Sequence, residues 1–564
     1  MPLLPSNDND REGLNVPTPT ENDESRKINF ADRARTVIMG AVQDNGTIVQ
    51  THADEQGHLE FAIHSPRLPY GAVWAETTDF VFQLEGTYGL NSKQLLSTPS
   101  NGGSVTVQDG MFYLSSGTNA AGQAVLQSKS HVRHRPGQGL VWRFNARWDE
   151  PRQNQYSLVG AGHAEDGIFI GYKNLQALGD PATPEFGVLH SRGGVRRIQT
   201  LTVTVGATSG ANCTITLNGV AHTVALTAAS NIQRTVYEIA SASYTGFRAY
   251  PLGATVVFVA NSAGVLGGSY SFSAGTTGAS ASFTGDPTRA GKASTDDWYP
   301  QSVWVGDPVD GDGPSGFYLN PQDLNQYQMN VRGGSGAFTF GVEASPPDNN
   351  PTFITFHRIS NDRRKNAAFR NPSMPGTIAV YNAGNTQDTG LWVSDISCAS
   401  EGLFKQTFAG VRTSVSRTLA STVTTTNKYA FFSLLNPLVY KGEANQVVVR
   451  AISMTVAAFD SGGNARPATV FLIRNGTLVG NPSFSKYASN DNSVLLIDQA
   501  ATQVTVATND QIIFVQGVGT NGELNYIFED IVALRPGDMI TVCATASSGT
   551  FDFLTVGLNL KEDL

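Results

Sequence analysis

Cysteine is nearly absent: Cys213, Cys398 and Cys543 are the only three, and they stand far apart. An odd, scattered set builds no disulfide framework, so buried reduced thiols are expected. Charge is also sparse, at 15% of residues, and the balance is negative, −9. That argues against nucleic acid or an anionic membrane surface as partner. No apolar run approaches the ~18 residues of a membrane-spanning helix. The first thirty residues carry neither the basic start nor the hydrophobic stretch of a secretory signal. Familiar catalytic fingerprints are missing as well. There is no Gly-x-Ser-x-Gly, no P-loop and no dinucleotide motif, and the nine histidines lack metal-ligand spacing. No fixed-period repeat of the parallel β-helix kind runs through the chain.

What remains is rich in Gly (58 residues), with abundant Thr, Ser, Val and Ala. This is the composition of an all-β protein with many tight turns. Asn-Gly pairs at Asn45-Gly46, Asn101-Gly102, Asn218-Gly219, Asn475-Gly476 and Asn521-Gly522 signal hairpins along the whole length. At 564 residues the chain should hold three or four domains.

The organising stretch runs from residue 139 to 194. Four runs, 140–148, 156–162, 166–172 and 186–190, read as neighbouring antiparallel strands with one wet face. In the first, Trp142, Phe144 and Ala146 share a face and Arg143, Asn145 and Arg147 share the other; Trp148 is read on the polar side at the strand's exit. In the third, Ile168 and Ile170 lie opposite Phe169. So apolar a sheet needs a second layer, and residues 300–360 are expected to supply it.

Around this stretch the expected organisation is an N-terminal arm (1–50), a β-sandwich (51–195 with 298–395), an inserted α+β module (196–297) and a C-terminal jelly-roll-like sandwich (396–564). Residues 1–35 are rich in Pro, Asn, Asp and Glu and would be disordered without a partner. The module holds the best helix, 231–243, with Ile232, Val236 and Ile239 on one face and Asn231 or Ser230 as cap. Residues 362–410 read as a loose connector. The final domain shows eight evenly spaced strands, at 429–435, 446–459, 469–474, 502–506, 511–517, 526–534, 539–546 and 551–560. The fold class is therefore all-β, mostly antiparallel sandwich and jelly-roll domains, with one small α+β insertion.

Chemistry is thinly signposted. Asp307, Asp310 and Asp312 lie in a Gly/Pro-rich loop that could hold calcium through oxygens, without the length or distal Glu of an EF-hand. A solvated turn is the default for such a loop. Glu165-Asp166 could be half of a glycosidase pair, but no second carboxylate is identified. The run Arg133-His134-Arg135, with Arg143 and Arg147, suits an acidic glycan or a neighbouring subunit's carboxylates; a charge-guarded sheet edge is the plainer alternative. Tryptophans such as Trp392 can stack on sugars, though core or interface anchoring is their commoner use.

Several segments carry a resemblance. Asp54-Glu55-Gln56-Gly57-His58-Leu59-Glu60-Phe61 resembles the Asp-x-x-Gly-Arg-Leu-x-Val segment near the start of a widespread group of tailed-bacteriophage virion proteins; His58 stands where the group has Arg. Further similar segments follow in order: 127–137, 166–172, 186–190, Trp298-Tyr299-Pro300-Gln301-Ser302, Asn325-Gln326-Tyr327-Gln328 and 534–542, together with the inserted module. The resemblance covers most of the chain after residue 50 and supplies no catalytic residues. It implies a structural component of a particle assembled in the host cytoplasm: a tail fibre, baseplate appendage or capsid decoration. The expectation is a non-enzymatic homotrimer that docks to other virion proteins through residues 1–50. Its outward β-domains serve assembly or host attachment, with a host surface glycan as one possible ligand. A glycan-degrading tailspike is the remaining alternative. No cofactor, nucleic acid or membrane insertion is expected.

Overall fold

The computed structural model describes residues 78–562 apart from short internal segments (134–138, 164–165, 177–178, 181, 332–336, 345–351, 361–367, 370–372, 402–410, 424–425, 460–462, 466, 489–491, 520–522, 529–531 and 547–550), and only four two-residue strands before them. The chain divides into two units, residues 1–75 and 76–564. In the first, Ala41–Val42 pairs antiparallel with Ile48–Val49 on either side of the expected Asn45-Gly46 turn, which itself lies outside the described residues. His52–Ala53 pairs with Leu59–Glu60 in the same sense.

In the second unit, period-two alternation sorts the strands into stacked antiparallel sheets. The sandwich has a front sheet of eight strands, running Thr352–Ile359, Phe338–Ala344, Asn325–Val331, Leu140–Trp148, Gly390–Glu401, Met111–Ser115, Ser104–Gln108, with Thr78–Glu85 also paired to Gly390–Glu401. The back sheet has seven: Thr295–Pro300, Phe186–Arg192, Gly167–Asn174, Gln155–Gly162, Gly376–Asn382, Gln123–Ser128, Leu95–Ser97. Between them lies one core in which Trp142, Phe144, Tyr327, Phe338 and Phe340 from the front meet Val159, Ile168, Ile170 and Val188 from the back.

Three expectations change here. Trp148 is not on the polar face. It is 1% exposed and continues the inward series of Trp142, Phe144 and Ala146, because residues two apart share a face of a strand. Its indole Nε1 donates to the Ser157 carbonyl at 2.9 Å. Secondly, Leu140–Trp148 is not a neighbour of Gln155–Gly162. The segment 149–154 carries the chain across the sandwich instead of reversing it, so the first run lies in the front sheet and the other three in the back. The strands from 325 to 359 extend the front sheet and, with Leu140–Trp148, form the layer over the back one. Thirdly, residues 362–410 are no loose connector. Gly376–Asn382 pairs on both sides within the back sheet and Gly390–Glu401 pairs with Leu140–Trp148 at the centre of the front one.

The module leaves the back sheet at Arg192 and returns at Thr295, and these two residues are paired partners in adjacent strands. It has two small sheets. One runs Phe247–Leu252, Thr255–Ala263, Arg196–Val205, Ser280–Phe283; the other runs Val220–Leu226, Ala211–Leu217, Ser271–Ser273. Asn218 (φ 51°) and Gly219 (φ 83°) make the two-residue hairpin between Leu217 and Val220. The helix spans Ile232–Ser241, with Asn231 as N-cap accepting the Arg234 N–H at 2.8 Å. It buries Val236 and Ile239 against both sheets.

The C-terminal sandwich stacks Val411–Val423, Phe551–Glu562, Val449–Phe459 and Glu523–Ile527 over Thr477–Gly480, Ala501–Thr505, Tyr429–Leu435, Met539–Ala546, Ala468–Arg474 and Ile512–Val518. Its strands match seven of the eight expected runs closely; the run expected at 526–534 is instead Glu523–Ile527 and the short Ala533–Leu534. Val411–Val423, whose Thr/Ser-rich sequence hides its alternation, and Thr477–Gly480 are additional. Module and C-terminal sandwich share apolar packing: Tyr250, Val257 and Val259 meet Leu438, Leu478 and Phe484. The three cysteines are buried and free.

Candidate functional site

The back sheet is apolar on both faces. Inward residues fill the sandwich core, while Leu158, Phe169 and Leu189 form a separate buried cluster on the outer face, flanked by Tyr156 and Trp298. Part of this outer face is the floor of a cleft of about 750 Å³. The opposite wall comes from the module, at Tyr244, Thr245, Gly246 and Asn261. Small side chains at Thr377 and Ala379, on the strand Gly376–Asn382, keep the floor open beside the larger Tyr156 and Tyr381.

Tyr156 and Tyr381 are direct cross-strand partners, and their rings meet edge to face with centroids 6.1 Å apart. Burial pushes the Tyr381 phenol up to about 12 against the pull of Arg196. Burial and, next, the Asp296 charge raise the Tyr156 phenol further. Both are therefore neutral hydroxyls at any physiological pH. Asp296 is the cleft's one carboxylate among the described residues; its Oδ1 accepts the hydroxyls of Ser191 and Ser294, each at 2.9 Å. Gln127 donates to Thr377 Oγ1 at 3.1 Å. At the far end stand Arg196 and His163. Burial first, then the Arg196 cation, holds the His163 imidazole neutral, its pKa down to about 3.

None of the described residues singled out from sequence lines the cleft, and of the basic and aromatic candidates only Arg147 and Trp392 are brought together. Arg133 is exposed on a two-residue strand, opposite Ser373; His134 and Arg135 fall outside the described residues. Arg143 Nε donates to Gln328 Oε1 at 2.8 Å on the front sheet. Arg147 lies 4.5 Å over the Trp392 ring. Trp392 also packs on Tyr113, with centroids 4.3 Å apart, and donates to Asp149 Oδ1 at 3.1 Å. Its ring is thus occupied by the protein's own groups and is no open platform for a sugar. Asp307 is buried, and its oxygens accept the N–H groups of Val309 (2.9 Å) and Ser315 (2.7 Å). Asp310 accepts the N–H of Asp312 at 3.0 Å. This is the hydrogen bonding of a self-capped turn, and among the described residues no group of three His, Cys, Asp or Glu is placed to hold a metal. Asp166 is buried and accepts the Gly193 N–H at 2.8 Å; Glu165 lies outside the described residues.

Sequence reasoning missed the cleft because its walls come from strands far apart in the chain. A signal was present: 158–159, 168–170 and 188–189 are continuous apolar runs, and a strand with one wet face would alternate. Chemically, the cleft offers aromatic faces, neutral hydroxyls, amides and one carboxylate.

No family model and no curated protein matches the chain. Among solved structures, it is similar to a legume lectin-like domain from Entamoeba histolytica (9% identity, 58% of this chain and 100% of that chain, TM-score 0.24). It is also similar to a prokaryotic β-1,3-1,4-glucanase (lichenase) derived from a mouse hindgut metagenome (9% identity, 57% of this chain and 99% of that chain, TM-score 0.21). Scores this low carry no argument about function.

Proposed function

We propose that this chain is a non-enzymatic structural protein of a bacteriophage particle that displays a carbohydrate-binding cleft on rigid β-domains. The observation that carries the binding role is the cleft of about 750 Å³, where Tyr156, Tyr381 and Phe169 lie among Gln123, Asn261 and Asp296. Sugars present flat C–H faces to aromatic rings and hydroxyls to amides and carboxylates, and this lining supplies both. Glycoside hydrolysis ordinarily uses two carboxylates across the scissile bond. The single one among the described lining residues favours holding a saccharide over cleaving it.

The virion role rests on the order of the sequence resemblances. Threefold association would cover sheet edges that the monomer leaves open.

A glycan array with the full chain tests the cleft. Saccharide hits are expected, and Tyr381→Ala and Tyr156→Ala should each weaken them about tenfold. No hits, or hits that neither substitution touches, would end this reading. Immunogold labelling of purified particles tests the location, and light scattering the trimer; unlabelled particles or a monomer at micromolar concentration would count against each in turn.

A further inference from the structure

Where the sandwich, the module and the C-terminal sandwich meet, a second cavity of about 200 Å³ opens. Its lining is strongly cationic. Lys129 enters from the sandwich, Arg248 from the module and Arg535 from the C-terminal sandwich, and Asp538 is the one carboxylate among the described lining residues. The bonds of these three cations go to neutral oxygens. Lys129 Nζ donates to the Ser92 carbonyl at 2.6 Å. Arg535 donates to the Lys93 carbonyl at 2.8 Å and to Ser130 Oγ at 3.0 Å. Arg248 Nη2 reaches the Pro536 carbonyl at 3.4 Å. Asp538 is engaged by the Arg535 backbone N–H at 3.1 Å. Among the described residues, no carboxylate forms an ion pair with Lys129, Arg248 or Arg535.

Gathering like charges in a partly buried cavity is unfavourable without a counter-ion. The Lys129 ammonium registers this: burial, and the guanidiniums of Arg535 and Arg248 against the opposing pull of Asp538, draw it below the usual lysine range. The turn that positions the cluster is itself constrained. Gly537 has φ +91°, and a Cβ there would meet Arg248 Nη2 at 2.1 Å. The cavity also adjoins the cleft, since Gln127, His163, Arg196 and Asn261 line both.

We infer that this junction is an anion-binding site, and that the saccharide held in the cleft carries an acidic group, a carboxylate or sulfate, which seats among Lys129, Arg248 and Arg535. The second half rests on the carbohydrate reading above; the first does not. Arginine forks and a lysine point charge suit a planar carboxylate or a tetrahedral sulfate equally.

Calorimetric titration of the full chain with sodium sulfate, with an oligogalacturonide, and with its neutral methyl ester tests the inference. Sulfate is expected to bind, and the acid to bind about tenfold or more tightly than the ester. Arg248→Gln should remove most of that advantage, and Lys129→Gln serves as a second variant should the first fail to fold. Sulfate binding lost in Arg248→Gln, with no saccharide bound at all, keeps the anion site and defeats the carbohydrate reading. Acid and ester binding equally, without sulfate binding, defeats the anion site and keeps the carbohydrate reading. No binding of sulfate and no acid preference overturns the inference.

Discussion

The Leu478 backbone N–H donates to the Tyr237 hydroxyl at 3.0 Å, and the Leu478 carbonyl accepts Arg234 Nη1 at 2.8 Å. Both polar groups of one residue in the C-terminal sandwich are thus satisfied by side chains of the module's helix. The helix acts as a clamp between two β-bodies. Tyr237→Phe keeps the ring and strands a buried N–H. Chemical denaturation should show a loss of about 1–2 kcal/mol, and hydrogen exchange should quicken at Leu478.

Gly171 is held by its surroundings. Its φ is +148°, and a Cβ there would lie 2.0 Å from the Ser157 carbonyl oxygen and 2.9 Å from the Trp148 indole nitrogen. Those two atoms are hydrogen-bonded to each other across the core. Gly171→Ala should therefore cost more than about 2 kcal/mol, through backbone strain and loss of that bond. A lower thermal midpoint with reduced near-ultraviolet circular dichroism is the expected readout.

Glu562 is fully buried and accepts three donors: Thr413 Oγ1 and Ser493 Oγ at 2.6 Å and the Val494 N–H at 2.7 Å. It joins the strand Phe551–Glu562 to the neighbouring Val411–Val423 and to the loop at Ser493. Glu562→Ala leaves all three donors unpaired, and a loss of roughly 3 kcal/mol or more follows from charge-assisted bonds of this kind. Urea unfolding checks it. A loss below 1 kcal/mol would mean that water replaces the carboxylate.

His357 makes the sandwich acid-sensitive. It is 2% exposed, its ring lies tilted against Tyr299, and neither ring nitrogen has a hydrogen-bond partner among the described residues. Burial lowers its pKa to about 4. In the unfolded chain the imidazole takes its proton near pH 6.5, so between pH 6.5 and 4 the unfolded state holds the extra proton. The stability associated with this residue is full above pH 6.5 and falls as the pH drops, by up to roughly 3 kcal/mol. His357→Phe should flatten that acid limb relative to the unsubstituted chain. Equal slopes in the two proteins would show that His357 does not titrate on unfolding.

Much of the architecture was legible because alternation and turn chemistry are local. The C-terminal strands, the Asn218-Gly219 hairpin and the capped helix all rest on neighbours within a few residues. Long-range pairing was not legible. Nothing near Trp148 reveals that the chain crosses to the other sheet at 149–154. The continuous apolar sequence of Gly376–Asn382 does not display the period that marks a half-wet strand. The junction was hidden for the same reason: Lys129, Arg248 and Arg535 lie far apart in sequence and meet only when three bodies pack together. Of the basic run at 131–135, His131 lines the junction cavity, while Arg133 lies on a two-residue strand outside the cleft.

Because Arg192 and Thr295 face each other in adjacent strands, the hundred residues between them hang from a stem whose two roots almost touch. Removing that lobe, or exchanging it for another whose ends lie equally close, leaves the register of the parent strands unchanged. The same lobe supplies one bank of the cleft while the parent supplies the bed. Recombination at this stem would change one bank of the cleft in a single cassette exchange and leave the other bank as it is. The bill for such a swap falls on the contacts with the C-terminal sandwich, chiefly Tyr237, Tyr250 and Val257, which a new lobe would have to reproduce.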